Sequence, residues 1–383
     1  MHARRIAAAA AALAVLSAVS VAVALRSGRT PEQVARVVAP PHPTPTAAGT
    51  APTGSGASGS VPSTTADPAP ELEGITAWDN TAPLTLKALR GKVILIDFWT
   101  YSCINCRRTF PLLRALHDRY ADAGLVVIGV HSPEFGFEKS HAAVARAVHD
   151  LGVTWPVAED PDHTTWAAYG NEYWPADYLV DRAGRLRSHH VGEGGAGVIE
   201  DAVRRLLAEG GEPGAALVGT PQASERPPVA AERMTPELYF GAARGQGTVA
   251  SPGPVETAAH ARRADPPAAR DIIGLRGDFV GADEWVEAEV GARVDLAYRA
   301  RDVYVTARPT GIGASIEVEL DGAPVPAARR GPDLVVASGG ATLTRLGPDE
   351  LRHLLTGPAV ADGRLSMTVR GAPVRLYTMT FGG

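Results

Sequence analysis

The sequence predicts an α/β domain followed by an all-β sandwich, and three observations carry that division. A continuous apolar run from Val93 to Phe98, rich in β-branched residues, reads as a strand buried on both faces of a sheet. It leads through a short polar turn into Cys103-Ile-Asn-Cys106 and then a helix with Phe110, Leu112, Leu113 and Leu116 on one face. Beyond a Gly-, Pro- and Ala-rich linker at 210–233, short alternating segments divided by Gly, Pro and Asp-Gly turns indicate the sandwich.

In chain order, Arg4 and Arg5 precede an alanine-rich apolar run from Ile6 to Leu25, so residues 1–26 read as a secretory signal or a retained membrane anchor. The run is about long enough to span a bilayer, which favours an anchor. Ala22-Val23-Ala24 offers a cleavage site, which favours release, and both readings stand. No cysteine lies nearby, which excludes lipoprotein processing. Either reading puts the remainder outside the cytoplasm, where disulfides form. Residues 27–70 are dominated by Pro, Thr, Ala, Gly and Ser, too poor in large apolar side chains to fold alone, and read as a tether. The remainder has room for two cores. A net charge of −5 without a basic stripe excludes nucleic acid as a partner.

The first folded domain is expected over 71–209. Trp78-Asp79-Asn80 and Pro83 to Gly91 form a small β unit ahead of the central strand. The helix after the cysteines runs to about Tyr120, Gly124 ends it, and Leu125 to Val130 is a second buried strand. Glu138 to Leu151 is helical, Trp155 to Ala158 a short edge-like strand, and His163 to Tyr169 a short helix. Tyr178–Asp181 and Leu186–Val191 make a hairpin, and a helix over Gly197–Glu209 closes the domain. In the second domain, 234–383, strands are expected at Trp285–Val290, Val294–Ala300, Val303–Ala307, Ile316–Leu320, Leu334–Ala337, Ser366–Val369 and Val374–Thr380.

Cys103 and Cys106 are the chain's only cysteines. At a helix N-terminus, free amide groups and the positive end of the dipole favour a thiolate, so the Cys103 pKa is expected to fall. Cys106, one turn deeper, can close a disulfide on it, which makes a redox pair. A structural bridge closing so short a loop would stabilise little. A zinc site would need a second Cys or His pair, and none follows; the eleven histidines form no metal constellation. His189 and His190 adjoin in a strand and face opposite ways. Asp97, the one charge in the buried strand, is either a paired structural residue or a carboxyl whose raised pKa suits it to take the proton of Cys106. Arg107 and Arg108 either lie in solvent or stabilise the Cys103 thiolate.

Asp97-Phe98-Trp99 with Trp99 to Pro111, Val130 to Glu138 and Trp174 to Asp181 resembles the thioredoxin superfamily, in its exported TlpA- and DipZ-like branch. The resemblance spans about Leu72 to Leu207 and implies a thioredoxin-like fold, with Cys103 as nucleophile, Cys106 as resolving thiol and Asp97 as proton acceptor. It also implies a cis-proline at Pro175, and Trp174, Pro175 and Tyr101 are expected to shape the substrate groove. His131, Glu134 and Glu138 match a family motif and are expected to order a loop or the core. Met234 to Arg244 resembles the opening of the DipZ-like C-terminal domain. With Asp321-Gly322 and Tyr377 to Gly382, it implies a jelly-roll similar to carbohydrate-binding modules. Sugar binding does not follow from the fold, and Trp285, Tyr298, Tyr304 and Tyr377 suit a core as well as a glycan site.

The implied function is an extracytoplasmic thiol:disulfide oxidoreductase that reduces disulfides of exported proteins, apocytochrome c among them. The chemistry would rest on the Cys103–Cys106 disulfide, with no organic cofactor or metal. Electrons would come from a separate membrane thiol donor. Two other readings are a thiol peroxidase, against which Cys103 lacks a Pro-x-x-x-Thr/Ser-x-x-Cys setting, and a module binding a cell-envelope glycan with an incidental redox head.

Overall fold

Val93–Trp99 is apolar at every position but Asp97, and all of it is buried, as a strand covered on both faces must be. A computed structural model describes residues 67–209, 234–245, 249–250, 269–347 and 350–383. The expected signal or anchor at 1–26, most of the tether, and the linker at 210–233 lie outside the described residues. Among those residues, no helix is long and apolar enough to cross a membrane.

The α/β domain has strands β1 (Ala77–Asp79), β2 (Val93–Trp99), β3 (Leu125–His131), β4 (Val157–Glu159), β5 (Ala176–Val180) and β6 (Leu186–Val191). Its helices are α1 (Ile104–Tyr120), α2 (His141–Asp150), α3 (Thr164–Ala168) and α4 (Ala196–Ala208). The sheet order is β1-β4-β3-β2-β5-β6, with β2 parallel to β3 and antiparallel to β5. Alternation along β2 splits the interior. Val93, Leu95 and Trp99 join Leu113 and Leu116 of α1 and Val203 and Leu206 of α4, while Ile94, Ile96 and Phe98 pack with Tyr169 and Tyr178.

Three sequence expectations need correction. The strand near Trp155 is β4, and it is interior: β1 covers it, Ala77 opposite Glu159. The helix expected from Glu138 to Leu151 is a 3₁₀ turn, Gly136–Lys139, followed by α2, because Ser140 is extended at φ −78° and ψ 113°. The end of the expected tether is already part of the fold, since Pro68 bridges Arg185 and the Ala69 amide donates to the Gly184 carbonyl at 3.0 Å.

The second domain is two sheets, antiparallel except where Val249–Ala250 pairs parallel with Ile273–Gly274, around one apolar core that includes Leu238, Leu296, Val305, Leu354 and Met379. One sheet orders Phe279–Gly281, Val286–Ala288, Val374–Gly382, Asp302–Pro309 and Leu351–Leu355, with Leu238–Tyr239 added on Val374–Gly382. The other is built around Ser315–Leu320, Ala361–Arg370 and Arg293–Ala300. Tyr298, Tyr304 and Tyr377 are buried in this domain. The described residues of both domains belong to one compact unit.

Candidate active site

β2 ends at Trp99, a tight turn follows, and α1 begins with Cys103 as its N-cap at φ −79° and ψ 111°. The Cys106 amide donates to the Cys103 sulfur at 3.2 Å, and the Cys106 thiol donates to the same sulfur with the two Sγ atoms 2.6 Å apart. Cys106 is fully buried, whereas Cys103 is partly exposed. The sulfur a client could reach is therefore the one at the helix N-terminus.

The expected fall in the Cys103 pKa is not what the surroundings produce. Burial pushes this thiol up, the Cys106 thiol and amide pull it down, and Glu134 and Glu237 push it up again. Burial pushes Cys106 much further, with added upward pressure from its own hydrogen bond to Cys103 and from Asp97. Cys103 thus remains the more acidic of the two.

Asp97 has no exposure, and neither of its carboxyl oxygens has a hydrogen-bond partner. Its register neighbour on β5 is Asp177, also buried, with Oδ1 unpartnered. Burial and then the Asp177 charge hold Asp97 well above the usual carboxylate range, and burial lifts Asp177 to about 7. No protein group pairs with the Asp97 carboxyl to offset its burial.

The Trp174–Pro175 bond is cis. The Trp174 indole N–H donates to the Ser132 carbonyl at 2.9 Å, and its ring lies 4.2 Å from that of Trp166. Tyr101, expected in the groove, is only 2% exposed, stacks on His131, and points its hydroxyl at the Phe137 carbonyl. It supports the wall from inside and does not face a client. Burial lowers His131 to about 3, so that imidazole stays neutral. Glu138 organises the neighbouring loop, accepting from the Ser102 hydroxyl at 2.7 Å, the Glu134 amide at 2.7 Å and the Phe135 amide at 3.0 Å. Burial raises it to about 7.

The two arginines after the pair are not a free solvated face. Arg107 donates to the Tyr101 carbonyl at 2.7 Å. Arg108 reaches Glu193 at 3.0 Å and the Tyr304 hydroxyl of the second domain at 3.3 Å. Further contacts extend that junction. Tyr377 packs on Phe135 and Phe137 at 5.1 and 4.7 Å between ring centroids, and Glu284 accepts from the Gly136 amide at 2.8 Å. The Tyr239 hydroxyl lies 2.9 Å from Glu134 and 2.8 Å from Glu237, and Arg244 pairs with Glu134 at 2.9 Å. The sandwich thus grips the loop beside the cysteines. Glu237, Tyr239 and Arg244 went unassigned from sequence although they sit in the quoted Met234–Arg244 motif; nothing local to that stretch says what it faces.

Among the described residues, one group could hold a metal ion: Asp79, His141 and Glu159, with donor atoms within 4.8 Å of one another. Sequence spacing missed it because the three come from different elements. His141 Nδ1 lies 2.6 Å from Glu159 Oε1, an ion pair that accounts for the grouping.

This fold and this paired-cysteine site define a thioredoxin-like protein. Residues 65–189 match the AhpC/TSA family and residues 235–382 the thioredoxin-like C-terminal domain. The chain belongs to the family of thioredoxin-like thiol–disulfide oxidoreductases. It is 34% identical over 142 residues to the thiol-disulfide oxidoreductase YkuV of Bacillus subtilis, covering 37% of this chain and 95% of YkuV. It is 38% identical over 326 residues to the protein DipZ of Mycobacterium bovis, covering 82% of this chain. The chain spans 43% of the length of that relative. A crystal structure of a thioredoxin-like superfamily protein aligns at 30% identity and a TM-score of 0.35, covering 37% of this chain and 96% of that one.

Proposed function

We propose that the protein is an extracytoplasmic enzyme that reduces disulfides of exported proteins, apocytochrome c and other Cys-x-x-Cys proteins among them. The observation that supports it most is the cysteine pair itself: one sulfur partly exposed at a helix N-terminus, the other fully buried 2.6 Å away. Cys103 as thiolate attacks a client disulfide, forming a mixed disulfide and releasing one client thiolate, which takes a proton from solvent. The Cys106 thiol then gives its proton to the Asp97 carboxylate and attacks Cys103 Sγ. The mixed disulfide breaks, the second client thiolate leaves and is protonated, and the Cys103–Cys106 disulfide remains. Two electrons have passed from enzyme to client, and a membrane thiol donor would return them.

Trp174 and Pro175 would border the groove in which the client lies. The charged, then apolar, N-terminal sequence supports export, and retention there would raise the effective concentration near a membrane electron source. Sequence favours reduction over oxidation, because Ile104 and Asn105 place no charge between the cysteines. The test is Cys106→Ser in growing cells, with acid-quenched thiol trapping of the unaltered protein alongside. The variant should accumulate mixed disulfides through Cys103 with Cys-x-x-Cys proteins, and the unaltered pair should be mostly dithiol. A pair found mostly oxidised, with a potential near that of exported oxidases, would overturn the reductive direction.

A further inference from the structure

Asp97 lies in the middle of the sheet, and a proton it receives has no evident exit through its own strand. The register supplies one. Asp97 on β2 is opposite Asp177 on β5, and Asp177 is opposite His190 on β6, the edge strand. Directly opposed residues on one sheet face have Cβ atoms about 5 Å apart, within reach of short polar side chains. The three form a row from beneath Cys106 to the sheet edge.

The row is also unsatisfied. Both oxygens of Asp97 and Oδ1 of Asp177 are buried without a hydrogen-bond partner, and the His190 ring nitrogens are buried beside the Gly192 and Gly194 backbone. Such groups are costly unless they serve something. A cavity of ≈ 10 Å³ opens beside Asp177, bordered by His190, Ser188 and Ile199, and is about the size of one water. Gly195 lies so close over the His190 ring that a Cβ there would sit 2.6 Å from Cε1, which fixes the imidazole in place. His190 keeps 8% exposure.

We infer that Asp177 and His190 continue the path of Asp97, so that the proton of the resolving thiol leaves through Asp97, Asp177 and His190 to solvent. The inference rests on the proposed roles of Cys106 and Asp97. No electron moves along the row. With the carboxyl pair singly ionised, Asp97 takes the proton of Cys106 and one proton moves on through Asp177, a water in the adjoining cavity bridging to His190. His190 takes it on one ring nitrogen and releases the proton from the other to water, while the sulfur left behind attacks Cys103. Burial lowers the His190 pKa, which keeps the ring neutral and able to accept. The groups facing Asp177 are Asp97 from β2 and His190 from β6, while His189 turns to the other face and stacks on Tyr178; α4 presents Val198, Ile199 and Ala202, and Cys106 of α1 lies beyond Asp97.

The test mixes the reduced full-length protein with glutathione disulfide, quenches with acid, and follows by mass the mixed disulfide on Cys103 and the closed pair. Asp177→Asn and His190→Ala should form the mixed disulfide at the unaltered rate and resolve it about tenfold or more slowly. Added imidazole should restore resolution in His190→Ala but not in Asp177→Asn. If Cys106→Ser accumulates no mixed disulfide, the assignment of the pair fails. If it does, and the His190 variant resolves at the unaltered rate with an unaltered pH profile, the relay is refuted on its own. His190 is at the sheet edge, so that variant decides the matter even if Asp177→Asn does not fold.

Discussion

Replacing Asp177 by asparagine should stabilise the protein at alkaline pH. Burial raises this carboxyl from its ordinary 3.8 to about 7, so the native state holds a proton that the unfolded chain releases. A group raised in this way contributes fully below pH 4, and its contribution is lost as pH rises towards 7. At about 1.36 kcal/mol per pH unit, the loss reaches about 4 kcal/mol by pH 8, and it is under about 1 kcal/mol at pH 4. Asparagine does not titrate. Glu138 and Glu237, also lifted to about 7, impose the same trend on both proteins and cancel from the difference. Urea unfolding of the reduced protein between pH 4 and pH 8, with and without Asp177→Asn, reads the quantity directly. The two should be nearly equal at pH 4 and diverge by up to about 4 kcal/mol at pH 8, the variant being the more stable. A variant less stable at pH 8 than at pH 4, relative to the unaltered chain, would mean that the carboxylate is well solvated or paired. The buried row could then not hold the proton of Cys106.

Three other outcomes are expected. Alkylation across pH should modify Cys103 before Cys106, since burial raises the latter further; mass mapping of the labelled cysteine checks the order. Glu138→Ala strands the Glu134 and Phe135 amides and should cost about 1–3 kcal/mol in chemical denaturation, with faster hydrogen exchange confined to residues 132–139 if the role is loop-ordering. Gly195→Ala combines a φ of +65° with a 2.6 Å approach to His190 and should destabilise by about 1 kcal/mol or more, measured by thermal unfolding; an unchanged midpoint would show that the ring can move aside.

The legible parts of the chain were those in which local pattern and tertiary environment agree. Val93–Trp99 is buried on both faces and reads so, Leu186–Val191 has the bounds expected of it, and Cys103 caps the helix its position predicts. What escaped depends on distant partners. β1 is three residues long, too short for a periodic signal, yet it makes β4 an interior strand. In the sandwich, Ile273–Arg276, Thr342–Arg345 and Leu351–Leu355 are similarly short and take their identity from their neighbours. The direction of the Cys103 pKa was misread because a helix N-terminus is visible in sequence and burial beside Glu134 and Glu237 is not. Asp177 gave no signal of its own; only strand register sets it against Asp97.

The grip of the sandwich on the loop at Phe135 bears on how the chain can be divided. Phe135 is 2% exposed with Tyr377 against it, so a protein cut after α4 would bare an aromatic face that the whole molecule hides. Uncovering one such side chain forfeits about 2 kcal/mol, and Glu134 would lose Tyr239 and Arg244 at the same stroke. The α/β half on its own would be a stickier and looser object. Its thiol chemistry, measured in isolation, would describe a cysteine pair freed of the acidic neighbour that Glu237 supplies.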